Sequence, residues 1–309
     1  MNYMQIATTE NTIYTSPDAS KIFCYTPSII VTPTGRLIVS FDLGGEGVKS
    51  IEGHKSSRAG GSRFGQGKIF ISDDNGQKWT FVQNFPFWHA RLFTIGNSIY
   101  LIGHAGDICI MKSEDNGESW SDTYFLTHGE KWHSSACNVL FSNGNVYLAM
   151  EQRCRLNEVT GWDVAGLSPT LFRACVEDNL CLASSWSRSE KFIYKEVFDG
   201  AKLDFFGIPF YDCETNKPKE IATGINNAPL GWLEANVGKF VDKDHIWHTD
   251  LKEVFHLFLR AHTGGVNYAH LFKIEIQDDQ SMIPSLEHTP SGQKISYIPF
   301  PGGHLKFFI

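Results

Sequence analysis

Two carboxylates, an arginine and several histidines and tryptophans stand at the ends of hydrophobic runs in this chain, where side chains from neighbouring strands can converge. Asp42 closes one run and Glu234 opens another. A pair of carboxyl groups is what glycosidic bond hydrolysis uses, one as proton donor and the other as nucleophile or base across the sugar ring. Asp42 serves as donor if burial raises its pKa; the alternative is that it caps a turn before Gly44-Gly45. Arg260, with His262 two residues on, offers a planar fork for a carboxylate on the substrate, or an interblade ion pair. Trp88-His89 and Trp132-His133 each open a run, as Tyr25 does in the first. His89 and His133 are acid/base candidates or satisfied structural histidines. Trp88, Trp132 and Trp232 are sugar-stacking platforms or packing residues. Glu151 with Arg153, the loop arginines Arg58 and Arg63, and the late His304 and Lys306 complete the candidates. Acids, imidazoles, arginine and aromatic rings together suit a polar sugar, and no cofactor or metal site is implied.

These residues are positioned by a repeat. Ser72-Asp73-Asp74-Asn75-Gly76-Gln77-Lys78-Trp79 recurs as Ser113-Glu114-Asp115-Asn116-Gly117-Glu118-Ser119-Trp120. The spacing is that of one four-stranded propeller blade. In each copy the aspartate can bond turn amides, the glycine can take positive φ, and the tryptophan restarts a strand. Hairpins with Gly or Asn turns precede both copies, and a degenerate copy surrounds Glu177-Asp178-Asn179 with Trp186 beyond it. The pattern predicts a single all-β propeller domain over residues 1–309, with blades at 24–84, 86–126, 130–196 and 228–285 and the start of a further blade at 294–309. In each blade, the start of strand one and the end of strand two lie at the same end of the channel, because adjacent strands run antiparallel. That gathers Tyr25, Trp88-His89, Trp132-His133 and Glu234 with Asp42, His104, Glu151 and Arg260-His262. Residues 43–65 and 152–167 are long insertions, read as functional loops.

The two eight-residue copies resemble the Asp-boxes of the sialidase (neuraminidase, BNR-repeat) superfamily. The resemblance implies a propeller of the six-bladed type, here with about four blades, so that the chain reads as truncated at its C-terminus. Tyr25, in Cys24-Tyr25-Thr26-Pro27, stands where the family has its first arginine, which speaks against true sialidase activity. The stretches Gly231-Trp232-Leu233-Glu234-Ala235-Asn236-Val237 and Leu259-Arg260-Ala261-His262 resemble the family's glutamate and second arginine. By that likeness Glu234 would activate a tyrosine nucleophile, and the family's later blades, which carry that tyrosine, are not in this sequence.

Net charge is −7 and no basic stripe occurs, which excludes a nucleic-acid backbone as the expected partner. No run reaches membrane-spanning length, and residues 1–20 lack the apolar core of a signal peptide, so the expectation is a cytoplasmic chain. Seven cysteines without a CxxC pair read as free thiols rather than a zinc site. The pattern supports a sialidase-like glycoside hydrolase on an acidic glycan. The alternatives are a uronate lyase using His133 or His89 with Tyr25, and a glycan-binding propeller without catalysis. Oligomeric state is not encoded in any motif.

Overall fold

The computed structural model describes residues 10–57, 64–135, 137–155, 164–197, 219–222, 225–227, 231–261 and 267–309. Arg58, Arg63 and His262 lie outside the described residues. Secondary structure is all-β apart from the four-residue helix Tyr194–Val197 and three 3-10 turns among the described residues. Four antiparallel sheets of four or five strands follow one another along the chain, each with the in-order pairing of a propeller blade. No described helix is long and apolar enough to cross a membrane.

The chain forms two compact units, 1–124 and 125–309. In the first unit, one sheet pairs Phe23–Val31, Leu37–Gly44, Phe64–Ser72 and Thr80–Phe85 in succession. The next pairs Trp88–Ile95, Ser98–Ala105 and Asp107–Ser113, with Tyr124–Phe125 as its last strand. Alternating side chains of both sheets bury one core that includes Ile38, Ile69, Phe85, Phe87, Leu92, Leu101 and Met111.

The repeated octapeptides form the turns before the last strands, and the two turns are built alike. Gly76 N–H donates to Ser72 Oγ at 2.9 Å and Lys78 N–H to Asp74 Oδ1 at 2.8 Å. In the second copy Gly117 N–H donates to Ser113 Oγ at 2.9 Å and Ser119 N–H to Asp115 Oδ1 at 2.9 Å. Asn75 and Gly76, then Asn116 and Gly117, take the left-handed conformation that makes this turn tight. The Lys78 amide and the Ser72 hydroxyl hold Asp74 below the usual carboxylate range. Arg36 ties the two turns together, bonding Asp73 at 2.6 Å and Glu118 at 3.2 Å. Trp79 Nε1 donates to Gly76 O and, in the degenerate third copy, Trp186 Nε1 donates to Leu180 O, both at 2.9 Å. Ser113→Ala removes a buried acceptor from the Gly117 amide. It is expected to cost about 1–3 kcal/mol in urea unfolding, and an unchanged midpoint would refute this account of the turn.

In the second unit the third sheet begins with a broken strand. Trp132–His133 and Leu140–Ser142 both pair with Asn145–Arg153, which pairs with Leu167–Cys175, and Trp186–Arg188 follows. The fourth sheet pairs Trp232–Gly238, Val254–Ala261, Tyr268–Ile276 and Met282–Ser285. Tyr297–Pro299 pairs with the Tyr268 end of the third strand of this sheet. Residues 305–309, the end of the stretch read as the start of a further blade, form no strand; their backbone bonds the Asn236 side chain of the fourth sheet instead.

The core between these sheets holds Tyr147, Leu171, Trp232, Phe255, Leu257, Phe272 and Tyr297. His270 is buried among Tyr194, Trp232 and Tyr297, and burial pushes its pKa down to about 3. The unfolded chain therefore binds a proton that the folded chain refuses between about pH 6.5 and that value. Stability should fall as pH drops through this window. His270→Phe should flatten the fall in denaturation at pH 5 against pH 7; an equal slope in both proteins would exclude His270 as the cause.

Candidate active site

Three of the four strand starts singled out by the repeat share a backbone device. The register of strand one shifts between Tyr25 and Ser28, between Trp88 and Arg91, and between Leu233 and Asn236. At each bulge one non-glycine residue is left-handed: Thr26 at φ 49°, His89 at φ 52° and Glu234 at φ 59°. A bulge with a residue held there bends the strand and re-aims the side chain, at a cost that the surrounding structure must offset. The bulges therefore decide which strand-start residues can reach a ligand.

In the second unit the re-aimed residue is Glu234. Its side chain is 12% exposed and lies 3.5 Å from Arg260 Nη1. Burial raises the pKa of Glu234; the positive charges of Arg260 and Lys306 lower it by less, and the charge of Glu151 adds to the rise. Glu151 itself is 1% exposed and uses both oxygens. Its Oε1 accepts the N–H of Ala235, the residue after Glu234, at 2.8 Å. Its Oε2 meets His133 Nδ1 at 2.9 Å. Glu151 thus fastens the bulge from the neighbouring sheet and orients an imidazole with the same carboxylate.

Arg260 is oriented from the other side. Its Nε donates to His304 O at 3.0 Å, and Ala261 N–H donates to Gly303 O at 2.9 Å. Asn236, fully buried, donates from Nδ2 to Phe307 O at 3.2 Å and accepts Ile309 N–H at 3.4 Å. Residues 303–309 are therefore held against the first two strands of the fourth sheet, which brings Lys306 into the field of Glu234.

A second cluster stands in the first unit. Asp42, fully buried, accepts the His89 N–H at 3.1 Å, and His89 Nδ1 lies 3.3 Å from His104 Nε2. The roles match those in the second unit: an acid at the end of strand two holds a bulge amide of the next sheet. Tyr25 pairs with Asp42 in register and is 44% exposed.

The structure thus brings together Glu234, Arg260, Glu151, His133, His304 and Lys306 in one unit, and Asp42, His89 and His104 in the other. Asp42 belongs to the first unit and Glu234 to the second; within the second unit the carboxylate beside Glu234 is Glu151. Arg153 lies at the end of the strand that carries Glu151, with its amide bonded to Lys131 O at 2.7 Å.

The tryptophans differ from the stacking expectation. Trp232 is fully buried, donates to Leu167 O at 3.1 Å and packs on Phe192 and Phe272. Trp132 is 2% exposed, bonded to Glu130 and edge-on to Phe172. Trp88 lies so close over Gly65 that a Cβ there would sit 2.1 Å from the indole. All three indoles are buried. The bulges, Asn236 and the bracing role of Glu151 were not marked in the sequence.

No family model matches the chain, and no curated protein matches it. Solved structures that resemble it include a protein of unknown function from Dyadobacter fermentans (13% identity, TM-score 0.47, covering 86% of this chain and 68% of that one). An α-L-arabinofuranosidase from Lactobacillus brevis aligns at 13% identity and TM-score 0.48, covering 87% of this chain and 80% of that one. The NanB sialidase of Streptococcus pneumoniae aligns at 10% identity and TM-score 0.47, covering 86% of this chain and 49% of that one.

Proposed function

We propose that the second unit carries a glycan-directed hydrolase site, with Glu234 as proton donor to the leaving glycosidic oxygen. The observation that carries this reading is a carboxyl group whose pKa burial raises, aimed by a left-handed bulge residue, beside a second carboxylate and an arginine. A proton donor near neutral pH needs such a raised pKa, and the positive charge that develops on the sugar ring needs a nearby anion, which Glu151 supplies. Arg260 and Lys306 supply cations for an acidic substituent on the sugar. The Asp-box likeness of the two repeated turns agrees with a sialidase-type scaffold for this chemistry, with Tyr25 in place of the first arginine.

The His133–Glu151 pair favours one competing reading, in which the oriented imidazole abstracts a proton from a uronate. Incubation with acidic oligosaccharides separates the two. Reducing ends released without ultraviolet absorbance support hydrolysis, an unsaturated absorbing product supports elimination, and binding without either product leaves a lectin-like propeller. Arg260→Lys keeps the charge and loses the fork. It is expected to weaken an acidic glycan by about tenfold or more and a neutral one hardly at all. Equal losses on both would place Arg260 outside substrate recognition.

A further inference from the structure

The segment that carries Lys306 also carries an exposed aromatic ring. Phe308 is 70% exposed, whereas Phe307 is half-buried and packs on Phe300 with ring centroids 4.6 Å apart. A phenyl ring left in water gives the fold no burial energy. The backbone on both sides of Phe308 is nevertheless fixed, and the group that fixes it is fully buried. Asn236 Nδ2 donates to Phe307 O at 3.2 Å, and Asn236 Oδ1 accepts Ile309 N–H at 3.4 Å. In extended chain the carbonyl before a residue and the amide after it face the same way. The Asn236 amide thus takes the place of a neighbouring strand and holds Phe308 extended.

The same amide is tied to the Glu234 site. Its Nδ2 lies 3.4 Å from Glu234 O, and its Oδ1 accepts Asn138 N–H from the adjoining sheet at 3.3 Å. The segment is also fastened ahead of Lys306. A Cβ at Gly303 would sit 2.5 Å from the Tyr268 carbonyl, so the chain passes there against bare backbone. Phe307 turns to Phe300, and its exposed neighbours Lys306 and Phe308 take the other side. Lys306 on that side acts on the Glu234 carboxyl. Asn236 stands two residues beyond Glu234 on one strand, roughly 7 Å at about 3.4 Å per residue. Phe308 is thus held about one sugar unit from Glu234, where the three buried indoles supply no ring.

We propose that Phe308 is a stacking platform for the sugar ring next to the one at Glu234, and that Asn236 positions it. The proposal rests on the glycan-directed reading of the Glu234 site and adds a second subsite to it. The ligand is then a chain of at least two rings rather than a lone acidic sugar. A single flat ring beside Lys306, Arg260 and Glu234 suits a ligand with an apolar face and a polar rim, which is what a pyranose presents. Leu305 and Ile309 are exposed as well, so the competing occupant is a second copy of this chain.

The test compares two probes by calorimetry on the full chain: D-glucuronate, and cellobiouronate, in which the same ring is joined to glucose. The readout is the ratio of their affinities in the parent, Phe308→Ala, Phe308→Leu and Phe308→Tyr. The second ring is expected to gain about tenfold in the parent and in Phe308→Tyr. In Phe308→Ala and Phe308→Leu the gain should shrink to about twofold or less, because leucine restores apolar volume without a flat face. An undiminished gain in the alanine or leucine variant, or no gain in the parent, overturns the proposal. So does a fall in sedimentation coefficient in Phe308→Ala, which assigns the ring to a contact between copies. Glucose release from cellobiouronate by the parent is followed separately. A gain that depends on Phe308 without glucose release keeps the platform and removes the hydrolase, and glucose release without that gain does the reverse.

Discussion

Glu234→Gln is expected to lower kcat on the true glycan by about 10²–10⁴-fold while leaving KM nearly unchanged, because it removes the transferable proton and keeps the shape of the group. The same substitution should help the fold. Burial raises the Glu234 pKa above its unfolded value, so the folded chain binds more protons than the unfolded chain in the window just above pH 4. Stability contributed by the protonated form is complete below the unfolded pKa and is lost as pH rises through the folded one. Glutamine cannot ionise, so the variant should unfold at a higher urea concentration than the parent near neutral pH and the same concentration in acid. Loss of activity with gain of stability is the signature of a functional group held against its preference. A variant with full rate removes Glu234 from the chemistry and moves the His133 reading ahead; a variant that is inactive but less stable at neutral pH contradicts the electrostatic account.

How far the sequence could be read depended on whether a feature was local. The turns at Ser72–Trp79 and Ser113–Trp120 were legible because serine, aspartate and glycine at fixed spacing fix a turn by themselves. The four sheets followed from those turns and the alternating runs between them. The residue-level aim of the site was not legible. Thr26, His89 and Glu234 adopt left-handed backbone without being glycine, and nothing in their neighbours marks it. Asn236 meets Phe307 across 71 residues, a contact no local pattern encodes. The tryptophans mislead because the same ring serves stacking and packing alike. Gly44 and Gly65, whose missing side chains make room for Trp88, were the clue that this indole packs inward.

Glu151 is where fold and site depend on one another most, and its substitutions should show it. In Glu151→Ala the buried amide of Ala235 and Nδ1 of His133 both lose an acceptor, with no side-chain atoms left to fill the space. Breaking a buried charged contact of this kind costs about 3–5 kcal/mol, so the urea midpoint should drop sharply. Turnover should fall as well, since nothing then fastens the bulge that aims Glu234. Glu151→Gln separates the two effects. Its carbonyl can still accept from Ala235, so the bulge survives, but its amide now presents N–H groups towards His133 and forces the imidazole to accept through Nδ1. The cost should be smaller, about 1–3 kcal/mol. With the negative charge gone, one influence that raises the Glu234 pKa disappears, and the alkaline limb of the rate profile should move to lower pH. A mere packing role for Glu151 would change stability and leave that limb in place. If both variants keep the parent midpoint and the parent pH profile, Glu151 neither braces nor tunes Glu234, and the hydrolase reading loses its second carboxylate.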